Sequence, residues 1–570
     1  MSKKRWFLSG IDDFKEAREG SYGYVDKSAF ISELLESPSK ITSITRPRRF
    51  GKTLNLSMLY YFFNFDKTSA NIELFEGLKI KKSKHFNSHF GKYRVIFLTF
   101  KGIRAITWEE CYGTILLSLS DLFRDHDYLL ESCCLKEIEK QEYREVVERK
   151  ADIHKLKNSL KDLTKYLERH HDQKVILLVD EYDTPIIEGE LNGYYQNVLS
   201  FIQNLLGNGL KGNTSLFKGV MTGITKLQGA GIFGGLNNVD TCTIFSKNYS
   251  DKFGFTESEV RYLLIEYGAS ESEEDVKRWY NGYNFGGDTI YNPYSVAKYL
   301  ESGEILNSWV ASGENRLVES KIATLFDESR SEETFKVMEK LMQREAIEIM
   351  VKDDLKVVDA NNLEDILNLF LSSGYLKYES YTRRGVKRYA TVSIPNSEVE
   401  GLYAGKLENW LGAHYRREGD FKKFLDAIVD GGEEEIKAGI EGHLAKRSIF
   451  DVERVMEMSY HNFIFGMLQG LGDGYNVNSN EESGEGRCDV ILTPVRSRSP
   501  LVIDSKREGI VIEFKVGEED NLKKVSQMAV KQVEDRKYLS TLREKGIKNI
   551  RIIGIAFFKK QAEVAVKKVL

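Results

Sequence analysis

Residues 40–63 constrain the fold of this chain more than any other stretch. A short β-branched run, KITSI, precedes the loop TRPRRFGKT, and the helix-forming segment KTLNLSMLYYFF starts at residue 52. A strand, a loop ending in Gly-Lys-Thr and a helix are typical of a phosphate-binding loop, because unpaired N–H groups at the helix N-terminus attract anions. The usual opening glycine is replaced by Arg46. The spacing predicts an anion site in a crowded loop, with a basic surface turn as the alternative.

The last three residues of this loop have separate expected roles. Gly51 would let the backbone approach a phosphate closely, and Lys52 would reach the β- and γ-phosphates. The Thr53 hydroxyl would hold Mg²⁺. Together they form a candidate nucleotide site.

A second stretch, KVILLVDEYD at residues 174–183, supplies what such a loop needs nearby. Its apolar run predicts a buried parallel strand that ends in Asp180 and Glu181. Asp180 would hold the Mg²⁺ shell, and Glu181 would orient an attacking water. A solvent-facing acidic strand end is the alternative for the pair taken alone. Since loop and acids occur in the expected order, the sequence predicts a nucleotide-hydrolysing α/β domain with a parallel sheet.

A third apolar run, LFKGVMTGITK at residues 216–226, predicts a neighbouring strand that ends in small polar residues. Thr222 or Thr225 could sense the γ-phosphate there, and a threonine that only pairs with backbone is the alternative. The following GAGIFG fits the spacing of a dinucleotide-binding fingerprint but lacks the helix and the acid that such a site needs. We interpret residues 229–234 as a mobile glycine-rich loop.

Several strings along the chain together resemble one family. GIDDFKEAREGSYGYVDKSAFI, TRPRRFGKTLNLSML, LLVDEYDTPI, GIFGGLNNV and WYNGYNFG with IYNPYSV are similar to AAA-ATPase-like proteins, which are commonly fused to a PD-(D/E)XK nuclease-like domain. In that family Arg-Pro-Arg-Arg-Phe-Gly-Lys-Ser/Thr is the usual form of the loop. The resemblance implies ATP as the ligand, Pro47 as a rigid replacement for glycine, and Arg48, Arg49 and Phe50 as further nucleotide-binding residues.

The C-terminal part carries a second pattern of charged residues on predicted strands. GRCDVILTP places Asp489 at the start of one strand, and GIVIEFKV places Glu513 and Lys515 on the next. Residues two apart on a strand share a face, and two carboxylates converging there repel unless a divalent cation lies between them. The pattern indicates a metal site with a phosphate-stabilising lysine, and salt bridges along a β-ladder are the alternative.

This second pattern resembles the Asp…Glu-x-Lys core of PD-(D/E)XK nucleases, in which Mg²⁺ generates the nucleophile. The resemblance implies Asp489 and Glu513 as metal ligands for Mg²⁺ or Mn²⁺, with both and Lys515 in catalysis. It also implies Glu457, in the helix-like EMSYHNFIFGMLQGL, as a further metal-binding acid.

Other C-terminal residues match that core less directly. Gln532 and Tyr538 resemble the helix that often follows the Glu-x-Lys strand. Cys488 stands where the motif name has proline, which leaves the metal-binding aspartate unaffected. We expect His461 to pack or hydrogen-bond rather than bind metal.

The middle of the chain is predicted mostly helical over residues 256–345. The aromatic WYNGYNF at 279–285 is expected to pack at a domain junction, and stacking on a base is the alternative. Residues 363–396 read as a helix, a turn and two strands, a winged-helix-like order that serves DNA binding in some proteins and interdomain spacing in others. The predicted domains are a P-loop AAA-ATPase-like domain at 1–250, a helical and winged-helix-like region at 251–400, and a PD-(D/E)XK nuclease-like domain at 401–570.

Composition limits where the protein works. The chain of 570 residues is 41% hydrophobic and 29% charged, as in soluble globular proteins. Neither a signal-peptide core nor an apolar run of ~18 residues is present, so no membrane partner is expected. Five cysteines without a Cys-x-x-Cys pair indicate free thiols in a reducing, cytoplasmic compartment.

The sequence favours an ATP-regulated, metal-dependent nuclease acting on DNA or RNA. A local Lys/Arg excess over residues 501–570 suits a phosphate-backbone partner, although a solvated charged surface would also produce it. Two alternatives remain: an ATP-driven switch or signalling protein whose nuclease fold binds without cleaving, and a remodelling ATPase whose C-terminal domain recognises partners. A homo-oligomer or a protein partner also remains open.

Overall fold

A computed structural model describes most of the chain. The described residues are 9–20, 22–65, 70–225, 239–269, 272–310, 316–325, 334, 337–338, 340–341, 345–352, 362–403, 419–445, 457–468, 471, 474–483, 486–494, 508–535 and 538–569. They separate into two compact units, an N-terminal unit of residues 1–321 with 344–400 and a C-terminal unit of residues 322–343 with 401–570. All five cysteines are free thiols.

The N-terminal unit is built on a parallel sheet, as predicted. Its strands are β1 (Ile41–Thr45), β2 (Arg94–Thr99), β3 (Val175–Asp180), β4 (Leu216–Gly223) and β5 (Val239–Cys242), and their spatial order is β2-β3-β4-β1-β5. Every residue of β1 and β3 is buried. Along β3, Leu177 and Val179 pack into one core layer while Ile176 and Leu178 pack into another. The run is continuously apolar because helices cover both faces of the sheet.

Helices precede, connect and follow the strands of the N-terminal unit, and the one at Arg316–Leu325 runs across its boundary at residue 321. They are α1 (Phe14–Glu19), α2 (Ala29–Glu36), α3 (Lys52–Phe63), α4 (Lys84–His89), α5 (Trp108–Arg124), α6 (Glu137–Val147), α7 (Ile153–Leu156), α8 (Ser159–His171), α9 (Thr184–Asn192), α10 (Tyr195–Leu210), α11 (Glu257–Glu266), α12 (Glu273–Tyr280), α13 (Pro293–Ser302), α14 (Arg316–Leu325) and α15 (Leu363–Ser373). Short 3₁₀ helices cover Ala70–Phe75, Lys79–Lys82 and Asp127–Glu131.

Two small sheets lie in the middle of the chain, and the sequence analysis missed all of the first and one strand of the second. The first contains β6 (Phe255–Thr256), β7 (Tyr283–Phe285) and β8 (Asp288–Tyr291) in the order β6-β8-β7. The second joins the predicted hairpin strands β10 (Lys377–Arg384) and β11 (Lys387–Ser393) to β9 (Ile347–Val351) in the order β10-β11-β9. These short strands carry little periodic signal of their own, so only their long-range pairing defines them.

Helix α15 is less exposed than a helix that inserts into a DNA groove needs to be. Eight of its residues are buried, among them the polar side chains of Asp365, Asn368 and Ser373. Asn368 Nδ2 donates to the Met350 carbonyl of β9 at 2.9 Å, so the helix is fixed against its own sheet. In the winged-helix-like segment, α15 therefore serves as an internal packing element.

The C-terminal unit is a mixed sheet covered by helices, as predicted for its fold class. Its strands are β12 (Tyr475–Ser483), β13 (Gly486–Pro494), β14 (Gly509–Val516), β15 (Ile550–Phe558) and β16 (Gln561–Val569), which lie in sequence order. The pair β14–β15 is parallel and the other neighbours are antiparallel. Its helices are α16 (Gly419–Asp430), α17 (Glu433–Leu444), α18 (Glu457–Leu468), α19 (Leu522–Asp535) and α20 (Ser540–Glu544).

A buried carboxyl group fixes the last turns of the N-terminal unit. Glu398 is fully buried within the helical residues 397–403. Its oxygens accept hydrogen bonds from Ser295 Oγ at 2.8 Å and from the Trp309 backbone N–H at 2.7 Å. Burial raises the pKa of Glu398 to about 7, against the opposing effect of these hydrogen bonds.

We predict that Glu398 makes the stability of the N-terminal unit fall as the pH rises. Because the folded pKa lies above the unfolded one, this contribution is fully present below the unfolded pKa and is lost as the pH rises through about 7. The difference amounts to at most about 3 kcal/mol. Glu398→Gln should gain stability relative to wild type between pH 5.5 and pH 8 in urea unfolding, whereas exposed Glu304→Gln should not. Parallel pH profiles for wild type and Glu398→Gln would contradict this.

Candidate functional site

The predicted phosphate-binding loop lies between β1 and α3, with α3 beginning at Lys52 as expected. Gly51 is the N-cap residue and adopts the left-handed conformation with φ of 79°, which a side chain would strain. Lys52 is buried, and its Nζ donates to the carbonyls of Arg46 at 3.1 Å and Pro47 at 2.9 Å. Burial lowers the pKa of Lys52, and the charge of Glu181 opposes that effect. Its ammonium is therefore held inside the loop.

Three side chains from different elements meet at the carboxyl end of the sheet. Asp180, at the end of β3, accepts a hydrogen bond from Thr53 Oγ1 at 2.7 Å and another from Thr222 Oγ1 of β4. Asp180 and Thr222 are fully buried. A carboxylate beside a hydroxyl at a helix N-terminus is a donor set that suits Mg²⁺. The residues proposed from sequence as Mg²⁺ ligands, Thr53 and Asp180, are thus in direct contact.

The two threonines that the sequence analysis left open have different partners. Thr225 donates to Asp183 Oδ2 through its backbone N–H at 2.9 Å and its hydroxyl at 3.1 Å. Thr222 instead donates to Asp180. Only Thr222 of the two therefore touches the carboxylate that Thr53 also contacts.

Glu181 follows Asp180 in an unusual backbone conformation. Its φ is 51°, a left-handed value that is rare outside glycine and often marks functional sites. Burial and then the charge of Asp180 raise the pKa of Glu181, which the cation Lys52 partly offsets. Thr184 Oγ1 donates to Glu181 Oε2 at 3.2 Å. The carboxyl group is thereby aimed into the cavity beside the phosphate loop, where it could accept a proton.

A cavity of about 390 Å³ opens above the loop. Its polar end is formed by the loop from Arg48 to Thr53 together with Glu181. Apolar residues such as Tyr24, Val25 and Phe255 also line it, together with the charged residues Asp12, Lys27, Lys101 and Lys252. The full lining is Ser9–Asp12, Ala17, Gly23–Val25, Lys27, Arg48–Asn55, Lys101, Glu181, Lys252, Gly254, Phe255, Pro293, Tyr294 and Ala297. A cavity of this size, with cationic and apolar residues in its lining, suits a nucleotide.

Arg46, which replaces the usual glycine, faces the protein interior and does not line this cavity. The side chain is fully buried, and Nη1 donates to the carbonyls of Thr45 at 2.8 Å and Cys242 of β5 at 3.1 Å. Its guanidinium also lies 4.9 Å from the ring centre of Phe285. Burial lowers the pKa of Arg46 to about 10. Arg46 therefore ties the loop to β5 and β7.

The other loop side chains are packed against the middle of the chain. Phe50 lies 5.0 Å from Tyr283 and 5.3 Å from Phe285 between ring centres. The Arg49 guanidinium lies 4.6 Å from the ring centre of Tyr294. These aromatic residues come from β7 and α13, so the string WYNGYNF supports the phosphate loop within the N-terminal unit.

Two further contacts complete this support. Pro47 packs on Gly374, where a Cβ atom would come within 2.9 Å of the proline ring. The Arg48 carbonyl accepts a hydrogen bond from Trp309 Nε1 at 3.1 Å, and Trp309 in turn donates its backbone N–H to Glu398. The sequence analysis missed Trp309 and Glu398, because Trp309 lies 261 positions from Arg48 and Glu398 lies 89 positions from Trp309.

The C-terminal unit brings the predicted acids and lysine together. Asp489 Oδ2 accepts from the Phe514 N–H at 2.7 Å, and the Asp489 N–H donates to Glu513 Oε2 at 3.4 Å. Lys515 Nζ lies 3.5 Å from Glu513 Oε1. Burial and then the charge of Asp489 raise the pKa of Glu513 to about 7. A proton or a cation is therefore needed to relieve the repulsion between the two carboxyl groups.

Residues around this pair hold it in place. Gln532 Nε2 of α19 donates to Glu513 Oε1. His461 of α18 lies 3.1 Å from the Asp489 carbonyl oxygen through Nε2 and contacts the Phe514 ring edge-on. Tyr538 and Cys488 are fully buried. His461 thus hydrogen-bonds and packs, as expected.

Two predicted elements fall at or beyond the edges of the described residues. Glu457 begins α18, but its side chain lies outside the described residues, as does the glycine-rich segment 229–234. Among the side chains that are described, no group of three His, Cys, Asp or Glu residues has the arrangement of a metal site. Asp489 and Glu513 are carboxylates, the oxygen ligands that a divalent cation prefers. No helix in the described ranges is long and apolar enough to span a bilayer.

Comparison with known proteins agrees with this division of the chain. Residues 9–233 match the AAA-ATPase-like family, described as a predicted AAA-ATPase, and residues 455–567 match the PD-(D/E)XK nuclease superfamily. An uncharacterised protein in the vnfD 5′ region of Azotobacter chroococcum mcd 1 is 25% identical over 411 residues, which are 70% of this chain and 69% of that protein. The chain thus carries a segment that matches the AAA-ATPase-like family, followed by a C-terminal segment that matches the PD-(D/E)XK nuclease superfamily, in the order that the sequence resemblance implied.

Proposed function

We propose that this protein binds and hydrolyses ATP in its N-terminal unit and cleaves nucleic-acid phosphodiesters in its C-terminal unit. The observation that carries the first part is the contact of Asp180 with both Thr53 and Thr222 beside Lys52. Lys52 and Thr53 line a cavity of about 390 Å³, and the buried Asp180 holds Thr53 from outside that lining. The second part rests on the contact of Asp489, Glu513 and Lys515.

In the ATPase reaction, Lys52 would leave the loop carbonyls and bind oxygens of the β- and γ-phosphates. Thr53 and Asp180 would hold Mg²⁺, which neutralises charge on those phosphates when bound. Glu181 would orient a water molecule and accept its proton, a role that its raised pKa favours because a general base works best near the ambient pH. Thr222 would keep Asp180 in position, and Arg48 and Arg49 would add positive charge at the cavity.

In the nuclease reaction, Asp489 and Glu513 would hold the metal, with Glu457 as the proposed third acid. Bound Mg²⁺ or Mn²⁺ would lower the pKa of a water and stabilise the developing phosphate charge. Lys515 would donate to a phosphate oxygen or orient the water. Gln532 would fix the carboxyl group of Glu513 in the orientation that metal binding needs.

We further propose that nucleotide binding regulates the nuclease. The loop that would hold ATP is hydrogen-bonded through Arg48 to Trp309, and Trp309 is hydrogen-bonded to Glu398. Glu398 lies three residues before Gly401, where the chain enters the C-terminal unit. A shift of the loop on ATP binding or hydrolysis could reach this segment, since phosphate contacts commonly reorder the loops around them.

One observation favours a second candidate function. Asp489 and Glu513 are in contact there with Gln532 and Lys515, a hydrogen-bonded arrangement that can also exist in a domain that does not cleave. The alternative is an ATP-driven switch or signalling protein whose nuclease-like domain binds nucleic acid or protein without cleaving it. Metal binding without cleavage of any substrate would favour this alternative.

We predict that Lys52 and Glu181 separate ATP binding from hydrolysis. Lys52→Ala should weaken ATP–Mg²⁺ binding on the order of 100-fold, because it removes a charge-assisted contact to phosphate. Glu181→Gln should bind as wild type and lower hydrolysis on the order of 10²-fold or more. Calorimetry and phosphate release measure the two effects, with exposed Lys92→Ala as control. ATP affinity equal in wild type and Lys52→Ala would contradict the proposed site.

We predict that Asp489 and Lys515 separate metal binding from cleavage. Asp489→Asn should abolish both, because it removes a charged oxygen ligand. Lys515→Ala should keep Mn²⁺ binding and lower cleavage on the order of 10²-fold. Mn²⁺ calorimetry is paired with assays on plasmid, single-stranded DNA and RNA, and exposed Asp520→Asn is the control. Equal cleavage by wild type and Asp489→Asn on every substrate would show that this site does not cut.

A further inference from the structure

An ion pair at the nucleotide cavity has no role in the reaction described above. Lys101 Nζ donates to Asp12 Oδ2, and both residues line the cavity together with Lys52 and Glu181. Asp12 comes from the segment before α1, and Lys101 follows β2. Both side chains keep about half of their exposure, 46% for Asp12 and 52% for Lys101, so the pair can open to a ligand.

The position of Asp12 is fixed by its neighbour. Asp13 Oδ2 accepts from Ser57 Oγ at 3.0 Å and from the Tyr61 hydroxyl at 3.1 Å, and both donors lie on α3. The Phe14 N–H donates to Ser57 Oγ at 2.9 Å. Since α3 begins at Lys52, these contacts hold Asp12 to the same helix whose N-terminus would bind phosphate.

The position of Lys101 is fixed by the sheet. Thr99, the last residue of β2, is paired with Asp180 on β3, and the Phe100 N–H donates to the Asp180 carbonyl at 3.0 Å. The Lys101 N–H then donates to Thr99 Oγ1 at 3.1 Å. Lys101 therefore leaves the sheet directly beside the strand that carries Asp180 and Glu181.

The charges around Lys101 point to a phosphate as a second partner. Burial lowers the pKa of Lys101, but its hydrogen bond to Asp12 and the charges of Asp12, Glu181 and Asp180 raise it overall. The ammonium thus stays charged next to the acids where the terminal phosphate of ATP would lie. That phosphate carries more negative charge than a single carboxylate and accepts several hydrogen bonds, so it would compete well for the same donor.

We propose that Lys101 binds the terminal phosphate of ATP and that Asp12 holds Lys101 when this phosphate is absent. When ATP binds, its terminal phosphate replaces Asp12 as the partner of Lys101, whereas ADP leaves the Asp12–Lys101 pair intact. Lys101 therefore increases the affinity for ATP relative to ADP. The inference rests on the proposed ATP site and adds a residue that distinguishes the two nucleotides.

The test compares the affinities of ADP and a non-hydrolysable ATP analogue, each with Mg²⁺, by calorimetry on the full chain. Lys101→Ala should weaken the analogue about tenfold, as expected for loss of a charge-assisted hydrogen bond, and leave ADP unchanged. Asp12→Asn should strengthen the analogue relative to ADP, because the competing carboxylate is gone. Lys150→Ala, an exposed lysine paired with Glu148 outside the cavity lining, is the matched control.

The outcomes separate this inference from the ATP site itself. If Lys101→Ala lowers the affinities for the analogue and for ADP equally, or lowers neither, Lys101 does not bind the terminal phosphate. The proposed ATP site still stands in that case, provided that the wild-type protein binds the analogue. Wild-type protein that binds neither nucleotide would overturn both. Thermal unfolding of each variant shows whether an equal loss of affinity for both nucleotides comes from misfolding. In that case Lys101→Arg, which retains the positive charge, is the deciding variant, and it should keep most of the preference for the analogue over ADP.

Discussion

The nucleotide site depends on how the middle of the chain supports the phosphate loop. A loop with glycine at its first position can wrap an anion through backbone freedom alone, but Arg46 and Pro47 remove that freedom. The chain compensates by giving the side chains of the loop partners. Arg46 turns inward to β5 and Phe285, and Phe50 enters the aromatic cluster of β7. The middle segments are therefore part of the nucleotide site.

Both candidate sites place a glutamate next to an aspartate in a buried setting. The pKa values of Glu181 and Glu513 are raised for the same two reasons. Each carboxyl group is buried, and each lies near the negative charge of an aspartate, Asp180 or Asp489. Like charges that close together are stable only with a proton or a cation between them. In the N-terminal unit Lys52 supplies part of that positive charge, and in the C-terminal unit Lys515 does. This shared electrostatic need is what makes metal binding physically reasonable at each site.

Local patterns allowed the strands that carry the motif residues (β1, β3, β4, β13 and β14) and the hairpin β10–β11 to be predicted, whereas the other strands and the residues brought in by tertiary packing were not. The loop, α3 and the strand ending at Asp180 have strong local signals of spacing and apolar composition. Trp309 reaches Arg48 across 261 positions, and Lys101 reaches Asp12 across 89 positions, with no motif around either contact. Helix α15 was correctly located, but its burial depends on β9, a short strand without a clear pattern. Such contacts are set by the fold and not by neighbouring sequence.

In the proposed function, nucleotide binding at the N-terminal site regulates cleavage at the C-terminal site, and the contacts from Arg48 through Trp309 to Glu398 are the proposed route within the N-terminal unit. The direct test measures substrate cleavage by Glu181→Gln with ATP bound, by Lys52→Ala without nucleotide, and by wild type over a range of ATP concentrations. We predict different cleavage rates for Glu181→Gln and Lys52→Ala. This difference should become smaller when Trp309→Phe is added to each variant, because Trp309→Phe removes the hydrogen bond to the Arg48 carbonyl. Equal rates in all three proteins at every ATP concentration would show that the two domains are only tethered.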